Sequence, residues 1–335
     1  MTQKSKVLIF GYGSVGKKYA QYFSNKNFDI LVFDPFIRIK NSNLKIFKSY
    51  NQLSKFINQI DFAIICSLAE DHYPNFCVAS NLNIKNILME KPLTNNFDEL
   101  SKIKKIIKKK KINFHSNHSW ELYNLGLFLK KIQKIYKMGN PLTFISYGGA
   151  FCLSTGAIHF YNILIKIFKI NIKDVEIHSN LYSSNINPRS KKYKTFGGVV
   201  NLSDGKKNKT NIVFNYSNQS KIRTTQTFIY KFHIINFFID GTYSICRTDT
   251  KSDHKKITFL EKTKLVDKGN IYKHNNIFLA AELLLKKKIK IGYESGYNSL
   301  IILFSIFISS KYKKVIKLKE IGKYLKKNNK KFLFT

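Results

Sequence analysis

The chain has 335 residues, 44% of them hydrophobic, enough for a sizeable core and more in keeping with two domains than one. Its 58 basic against 20 acidic residues leave a net charge of +38, an excess that by itself suggests nucleic acid or an anionic membrane as partner. The kind of base argues otherwise: Arg38, Arg189, Arg223 and Arg247 are the only arginines, and the guanidinium is the usual reader of phosphates and bases. The lysines are spread along the whole chain, so the expectation is a lysine-coated enzyme with no specific nucleic-acid partner.

Cys66, Cys77, Cys152 and Cys246 lie far apart without a CxxC pair, and no metal site is expected. The chain opens MTQKSKVLIF, entering a strand at once, with no signal peptide. Its longest apolar run, 300–308, is about half of the ~20 residues that cross a bilayer. The reading is a cytoplasmic protein without a membrane segment.

In chain order, "KVLIF" (6–10) is an apolar strand, followed at once by Gly11-Tyr12-Gly13-Ser14-Val15-Gly16 and a helix "KKYAQYFSN" with Ala20 and Phe23 on its buried side. A GxGxxG alone is weak evidence; set between a strand and a helix it is the dinucleotide-binding arrangement. Gly11 permits the turn, Gly13 lets pyrophosphate approach the backbone, and Gly16 lets helix and strand pack closely. The helix N-terminus offers N–H groups to the phosphates. The next strand, "DILVFD" (29–34), ends in Asp34, 18 residues past Gly16. A carboxylate there accepts hydrogen bonds from the ribose hydroxyls and repels a 2′-phosphate, which favours NAD over NADP, although Arg38 lies close by. By itself Asp34 is equally a turn residue before Pro35.

The alternation continues: strand 44–49, short helix 51–58, strand 61–67, helix 72–83, strand 86–91, helix 97–111, strand 112–117. Near-continuous apolar strands separated by helices mean a doubly wound parallel sheet buried on both faces. Ligands of such sheets bind beyond the carboxyl ends of the strands. Those ends carry Gly11–Gly16, Asp34, Ser67–His72, Glu90-Lys91-Pro92 and Asn117–Trp120.

The blocks "FGYGSVGKKYA", "DFAIICSLAEDHYPNFCVASNLNIKNILMEKPL", more loosely "SNHSWEL", and "GAIHFYN" (156–162) together resemble the glucose–fructose oxidoreductase, inositol dehydrogenase and MocA family of NAD(P)-dependent oxidoreductases. The resemblance implies an N-terminal Rossmann domain, placed at 1–118, and an α+β substrate and oligomerisation domain, 119–335, with a largely antiparallel open sheet. It implies that Lys91 lies beside nicotinamide and substrate and assists proton transfer at the reacting oxygen. A cis Lys91–Pro92 bond would fit it. His159, which alone reads as a helix histidine satisfied by local polar groups, becomes the second catalytic candidate. Many members carry an Asp four residues before that His and another three after; here Thr155 and Asn162 stand there. Asn162 hydrogen-bonds but carries no charge. Either Lys91 and His159 suffice, or the substrate differs, or catalysis has been lost. A subgroup linked to cell-surface polysaccharide synthesis has a similar Ile-His-Phe helix start, which points to a sugar or nucleotide-sugar substrate. The family's open sheet implies a homodimer or homotetramer.

His72 is a cofactor-ribose or substrate contact, or a helix cap; Ser67 and Glu90 stand with it on the cofactor edge. Asn117 and Trp120 are substrate candidates, with Trp120 equally a core residue. The second half reads as helix 121–137, strand 141–149 and helix 155–169. Extended segments follow at 174–183, 197–204, 210–217, 227–240 and 255–262, then helices 277–289 and 297–314. The alternative to an enzyme is a non-catalytic NAD-binding sensor or assembly protein of the same fold.

Overall fold

A computed structural model describes residues 4–37, 44–149, 153–184, 194–205, 210–217, 219–222, 224–238, 240–248, 263–272, 276–288, 291–327 and 332. The elements run β1 (Lys6–Phe10), α1 (Ser14–Ser24), β2 (Asp29–Phe33), β3 (Lys45–Phe47), a 3₁₀ turn (Tyr50–Phe56), β4 (Phe62–Ile65), α2 (His72–Asn81), β5 (Asn86–Met89), α3 (Phe97–Lys110), β6 (Asn113–Ser116) and α4 (Ser119–Leu122). Then come α5 (Leu125–Tyr136), β7 (Thr143–Gly148), a π-helical turn (Leu153–Ala157), α6 (Ile158–Ile167), β8 (Val175–Ser184), β9 (Thr195–Asp204), β10 (Asn211–Tyr216), β11 (Thr225–Ile229), β12 (His233–Phe238), β13 (Thr242–Thr248) and β14 (Thr263–Asn270). The chain ends with α7 (Asn276–Leu285), α8 (Tyr293–Tyr312), β15 (Ile316–Lys317) and α9 (Ile321–Lys327). It packs as two compact units, one of residues 1–122, 274–300 and 328–335, the other of residues 123–273 and 301–327.

The first unit holds a six-stranded sheet in the order β3-β2-β1-β4-β5-β6, every pairing parallel. Its central strands are apolar throughout because both faces are covered. Val7, Ile9, Ile64 and Leu88 meet Tyr19, Ala20 and Phe23 of α1 on one face. Ile277, Ala280, Ala281 and Leu284 of α7 join that cluster at helical spacing, so a late segment of the chain returns to complete the first core. Tyr22 of α1 stacks on Phe278 of α7 at 5.3 Å. α3 begins with Asn96 accepting the Asp98 N–H and carries Lys108–Lys110 in its last turn, where cations favour the dipole.

The second unit holds a nine-stranded sheet, β14-β13-β12-β11-β7-β10-β9-β8-β15, antiparallel except for β7 against β10. One face is core: Phe144, Phe214 and Phe228 pack there, with Phe160 and Tyr161 of α6 against them. The two-sheet architecture expected from the sequence is therefore the observed one.

Several local expectations change. Segment 227–240 is not one strand but the β11–β12 hairpin, its turn closed by the Tyr230 N–H donating to the His233 carbonyl at 2.8 Å. The turn lacks the Gly or Pro that marks most such reversals. Helix 121–137 is broken at Asn124, whose φ of 57° is left-handed and ends α4 before α5 begins. Helix 155–169 starts as the π-helical turn. Strands β13 and β14 were not expected; the expected strand at 255–262 lies outside the described residues. No helix among the described residues is long and apolar enough to cross a membrane.

Candidate functional site

The glycine loop follows from β1 in the first unit. Gly11 has φ +91°, and a Cβ there would meet the Ser67 backbone at 2.7 Å. A Cβ on Gly16 would meet the Gly11 carbonyl oxygen at 2.1 Å, so α1 and the β1 turn touch only because that side chain is missing. Gly13 differs: its Cβ would meet nothing within 4 Å, and its φ of −73° and ψ of −162° suit any residue. Protein packing does not require glycine at 13. Open space above it, at the end of a helix that no side chain caps, is a cradle into which a phosphate fits. Tyr12 and Val15 turn inward to pack on the core cluster, while Ser14 is exposed.

Asp34, at the carboxyl end of β2, is tied to that loop. Its Oδ2 accepts the Tyr12 N–H at 2.8 Å and its Oδ1 the Phe36 N–H at 3.0 Å. A carboxylate offers about four acceptor sites, so each oxygen keeps capacity for a further donor such as a ribose hydroxyl. Beneath the loop, the Cys66 thiol donates to the Gly11 carbonyl at 3.2 Å; burial pushes its pKa well up, so it is a neutral strut. Cys66, Cys77 and Cys246 are free thiols; Cys152 lies outside the described residues. Among the described residues, no group of three or more His, Cys, Asp or Glu side chains could hold a metal ion.

His72, at the start of α2, is 1% exposed, with Nδ1 2.8 Å from the Pro92 carbonyl and Nε2 3.1 Å from the Ser67 carbonyl. Burial lowers its pKa to about 4 against the pull of those carbonyls. As a neutral ring it carries one N–H and donates to only one of those carbonyls, with both nitrogens directed at protein between the end of β4 and the turn after β5. Ser67 is held from the other side: Asn75 Nδ2 donates to Ser67 Oγ at 2.9 Å, and Tyr50 Oη donates to Asn75 Oδ1 at 3.0 Å.

Glu90-Lys91-Pro92 closes β5, and the Lys91–Pro92 peptide is cis. Glu90 Oε1 accepts from Asn117 Nδ2 at 2.7 Å and from Tyr19 Oη at 2.9 Å. Burial pushes the Glu90 carboxyl upward in pKa, opposed by Asn117, by the neighbouring Lys91 charge and by Tyr19. Asn117 Oδ1 is buried with no protein partner among the described residues, an acceptor left over at the edge of the sheet. Lys91 is half-buried at the end of β5. Trp120, in α4, is buried at 4% exposure.

The structure therefore gathers Gly11–Gly16, Asp34, Ser67, His72, Glu90, Lys91 and Asn117 along the carboxyl edge of one sheet. His159 and Asn162 stand in the second unit, three residues apart on one side of α6. His159 is half-buried and Asn162 buried, and Thr155 lies in the π-helical turn that feeds the helix. π-Turns recur at functional positions. This one is tied to α6 by Tyr161 Oη donating to the Leu153 carbonyl at 2.9 Å. Tyr19, Tyr50 and Asn75 were missed by sequence reasoning. Only a hydroxyl-bearing ring beside Ala20 on the buried side of α1 could have signalled the first of them.

Parallel order, glycine turn and carboxylate at the end of β2 define a dinucleotide-binding Rossmann domain. The chain's residues 5–118 match the family model described as "Oxidoreductase family, NAD-binding Rossmann fold". No curated protein matches by sequence. Among solved structures, a putative oxidoreductase, YvaA, from Bacillus subtilis aligns with TM-score 0.71 at 14% identity over 95% of this chain and 99% of its own. UDP-N-acetylglucosamine 3-dehydrogenase GnnA from Acidithiobacillus ferrooxidans aligns with TM-score 0.64 at 13% identity, over 93% of this chain and 99% of its own. A super-repressor mutant of Gal80p from Saccharomyces cerevisiae gives 0.66 and 14%, over 96% and 99%. At these identities the likeness is one of fold.

Proposed function

We propose that the protein is an NAD-dependent oxidoreductase acting on a hydroxyl or carbonyl of a sugar or nucleotide-sugar, with a place in surface-polysaccharide synthesis. The observation that carries the cofactor half is the pairing of an open Gly13 with Asp34, whose carboxylate is fixed by two backbone N–H groups beside the loop. The α1 N-terminus and the glycine-loop N–H groups hold the pyrophosphate. Asp34 accepts the ribose hydroxyls and repels a 2′-phosphate, hence NAD rather than NADP. Nicotinamide, when bound, supplies the hydride acceptor or donor. Lys91 orients the reacting oxygen and carries its proton, and its ammonium form steadies negative charge developing on that oxygen. His159 takes the second acid–base role by the family resemblance alone. Glu90 and His72 hold the turn that bears Lys91. Asn117 and Trp120 are read as substrate contacts of the first unit; Asn162 is read separately, from the resemblance, as one of the second. A nucleotide-sugar substrate is supported by the family resemblance and by a fold shared with a UDP-sugar dehydrogenase.

The test has two stages. NADH should bind saturably, tighter than NADPH, in a fluorescence titration at moderate salt, which screens nonspecific attraction to the basic surface. Lys91→Met should then keep NADH binding while turnover of a nucleotide-sugar panel falls about 10²–10⁴-fold. A fully active Lys91→Met enzyme would sink the mechanism. The second reading, a non-catalytic NAD-binding sensor, is favoured by Thr155 and Asn162 and expects cofactor binding without turnover of any sugar in the panel.

The same proposal extends to self-association through the outer face of the second sheet. One cross-strand row on that face runs Asn180, Val199, Asn215, Tyr147, Thr225 and Phe238. The next runs His178, Asn201, Val213, Ile145, Thr227, Asn236, Ser244 and Lys268. The first contains no lysine, arginine, aspartate or glutamate and the second only Lys268, at its far end on β14, on a chain of net charge +38. Two copies so charged associate only where lysines are excluded, because like charges brought together at a contact are costly. A nucleic-acid partner calls for the opposite composition.

A further inference from the structure

Of the large hydrophobic side chains exposed among the described residues, Phe36 is the most exposed, at 85%. A single exposed phenylalanine is unremarkable in itself. Its attachment is not. The Phe36 N–H donates to Asp34 Oδ1, and the other oxygen of that carboxylate accepts from Tyr12 in the glycine loop. The turn bearing Phe36 is therefore fastened to the very group read as the ribose acceptor. Two residues span at most about 7 Å between Cα atoms, and the base of a nucleotide is bonded directly to the ribose that Asp34 holds. An aromatic ring so placed, with its face in solvent, lies within reach of that base.

We infer that Phe36 is the stacking platform for the adenine of the dinucleotide. The inference rests on the dinucleotide reading above and adds how the base is recognised: by a π-face, which tolerates any base, rather than by hydrogen bonds to its edge. Dispersion between two flat rings removed from water explains why an apolar residue stands so fully exposed at this point.

The test compares ligands with and without adenine. NADH and reduced nicotinamide mononucleotide are titrated by fluorescence against wild type, Phe36→Ala and Phe36→Trp, and ADP-ribose is titrated as competitor. Phe36→Ala is expected to weaken NADH and ADP-ribose about tenfold, to leave the mononucleotide unchanged, and to be restored by Phe36→Trp. Because the ring is exposed, the thermal midpoint should not move. Equal weakening of NADH and the mononucleotide, or no weakening of either, overturns the platform. Wild-type protein that binds neither NADH nor ADP-ribose overturns the dinucleotide reading and the platform with it.

Discussion

The two sheets spend their polar residues differently. In the first unit both faces are buried, so polar side chains gather at the carboxyl ends of the strands and bind one another. Asp34 meets the loop, His72 joins two turns, and Glu90 receives Tyr19 and Asn117. In the second unit one face is buried and the other carries Asn, Thr and Ser between Val, Ile and Tyr, spread over seven strands. A doubly covered sheet concentrates chemistry at an edge. A singly covered sheet distributes recognition over a surface. Point substitutions should therefore act sharply in the first unit and, on the open face of the second, only through association.

The largest effect expected lies within the glycine loop, where one sequence motif combines two physical demands. Gly16→Ala drives a Cβ into the Gly11 carbonyl, which no rotamer relieves, so the contact must open. It should cost about 3 kcal/mol of stability and abolish NADH binding. Gly13→Ala meets no atom and needs no unusual backbone. Its thermal midpoint should match wild type while NADH affinity falls at least about tenfold, because a methyl now fills the phosphate approach. Equal loss of midpoint in both variants would show that the loop is only structural.

Next comes the acid response of the brace at His72. In the folded chain this imidazole takes a proton near pH 4, whereas unfolded histidine does so near 6.5. The unfolded state is therefore protonated first on acidification. The contribution of His72 is present in full above about pH 6.5 and is lost as pH falls towards 4, up to about 3 kcal/mol in all. Buried His115, also lowered to about 4, acts in the same direction. Denaturant unfolding at pH 7 and pH 5 should show a steep loss for wild type. His72→Gln, which keeps an N–H donor but takes up no proton in this range, should lose distinctly less. Parallel slopes would remove His72 as the titrating group.

The same contrast explains what the sequence displayed. The Rossmann half was readable because its informative residues are contiguous or sit at strand ends: the glycines, Asp34, and Glu90-Lys91-Pro92 each follow an apolar run. The bonds that organise the edge were hidden, since Tyr19 lies 71 residues from Glu90 and 98 from Asn117, and no local pattern links them. In the second half, β14 (TKLVDKGN) is mostly exposed and does not alternate, so it carries no strand signal. The hairpin between β11 and β12 turns without glycine or proline. The π-helical turn before His159 is joined to α6 by the Tyr161 hydroxyl donating to the Leu153 carbonyl, a bond that periodicity does not encode. The open face became visible only when pairing registers put residues from six strands in one row.

That face gives the smallest expected effect on the folded chain and the clearest test of the contrast. Val199 sits on a row free of charge, 39% exposed, between Asn180 and Asn215. Val199→Lys adds no buried charge within one copy, because the side chain extends into solvent, so the thermal midpoint should stay within about 2 °C of wild type. Across a symmetric contact the same lysine meets its own copy, and burying two ammonium groups together is prohibitive. Light scattering should therefore give a single-chain mass for Val199→Lys and a dimer or tetramer for wild type. Leu127→Lys serves as control, since Leu127 is 63% exposed on α5 of the same unit and away from the sheet rows. It should leave the mass unchanged. If Val199→Lys associates as wild type does, or Leu127→Lys dissociates equally, the face is not the contact. Exclusion of lysine from the Val199 row would then need another cause, such as cover by a different molecule.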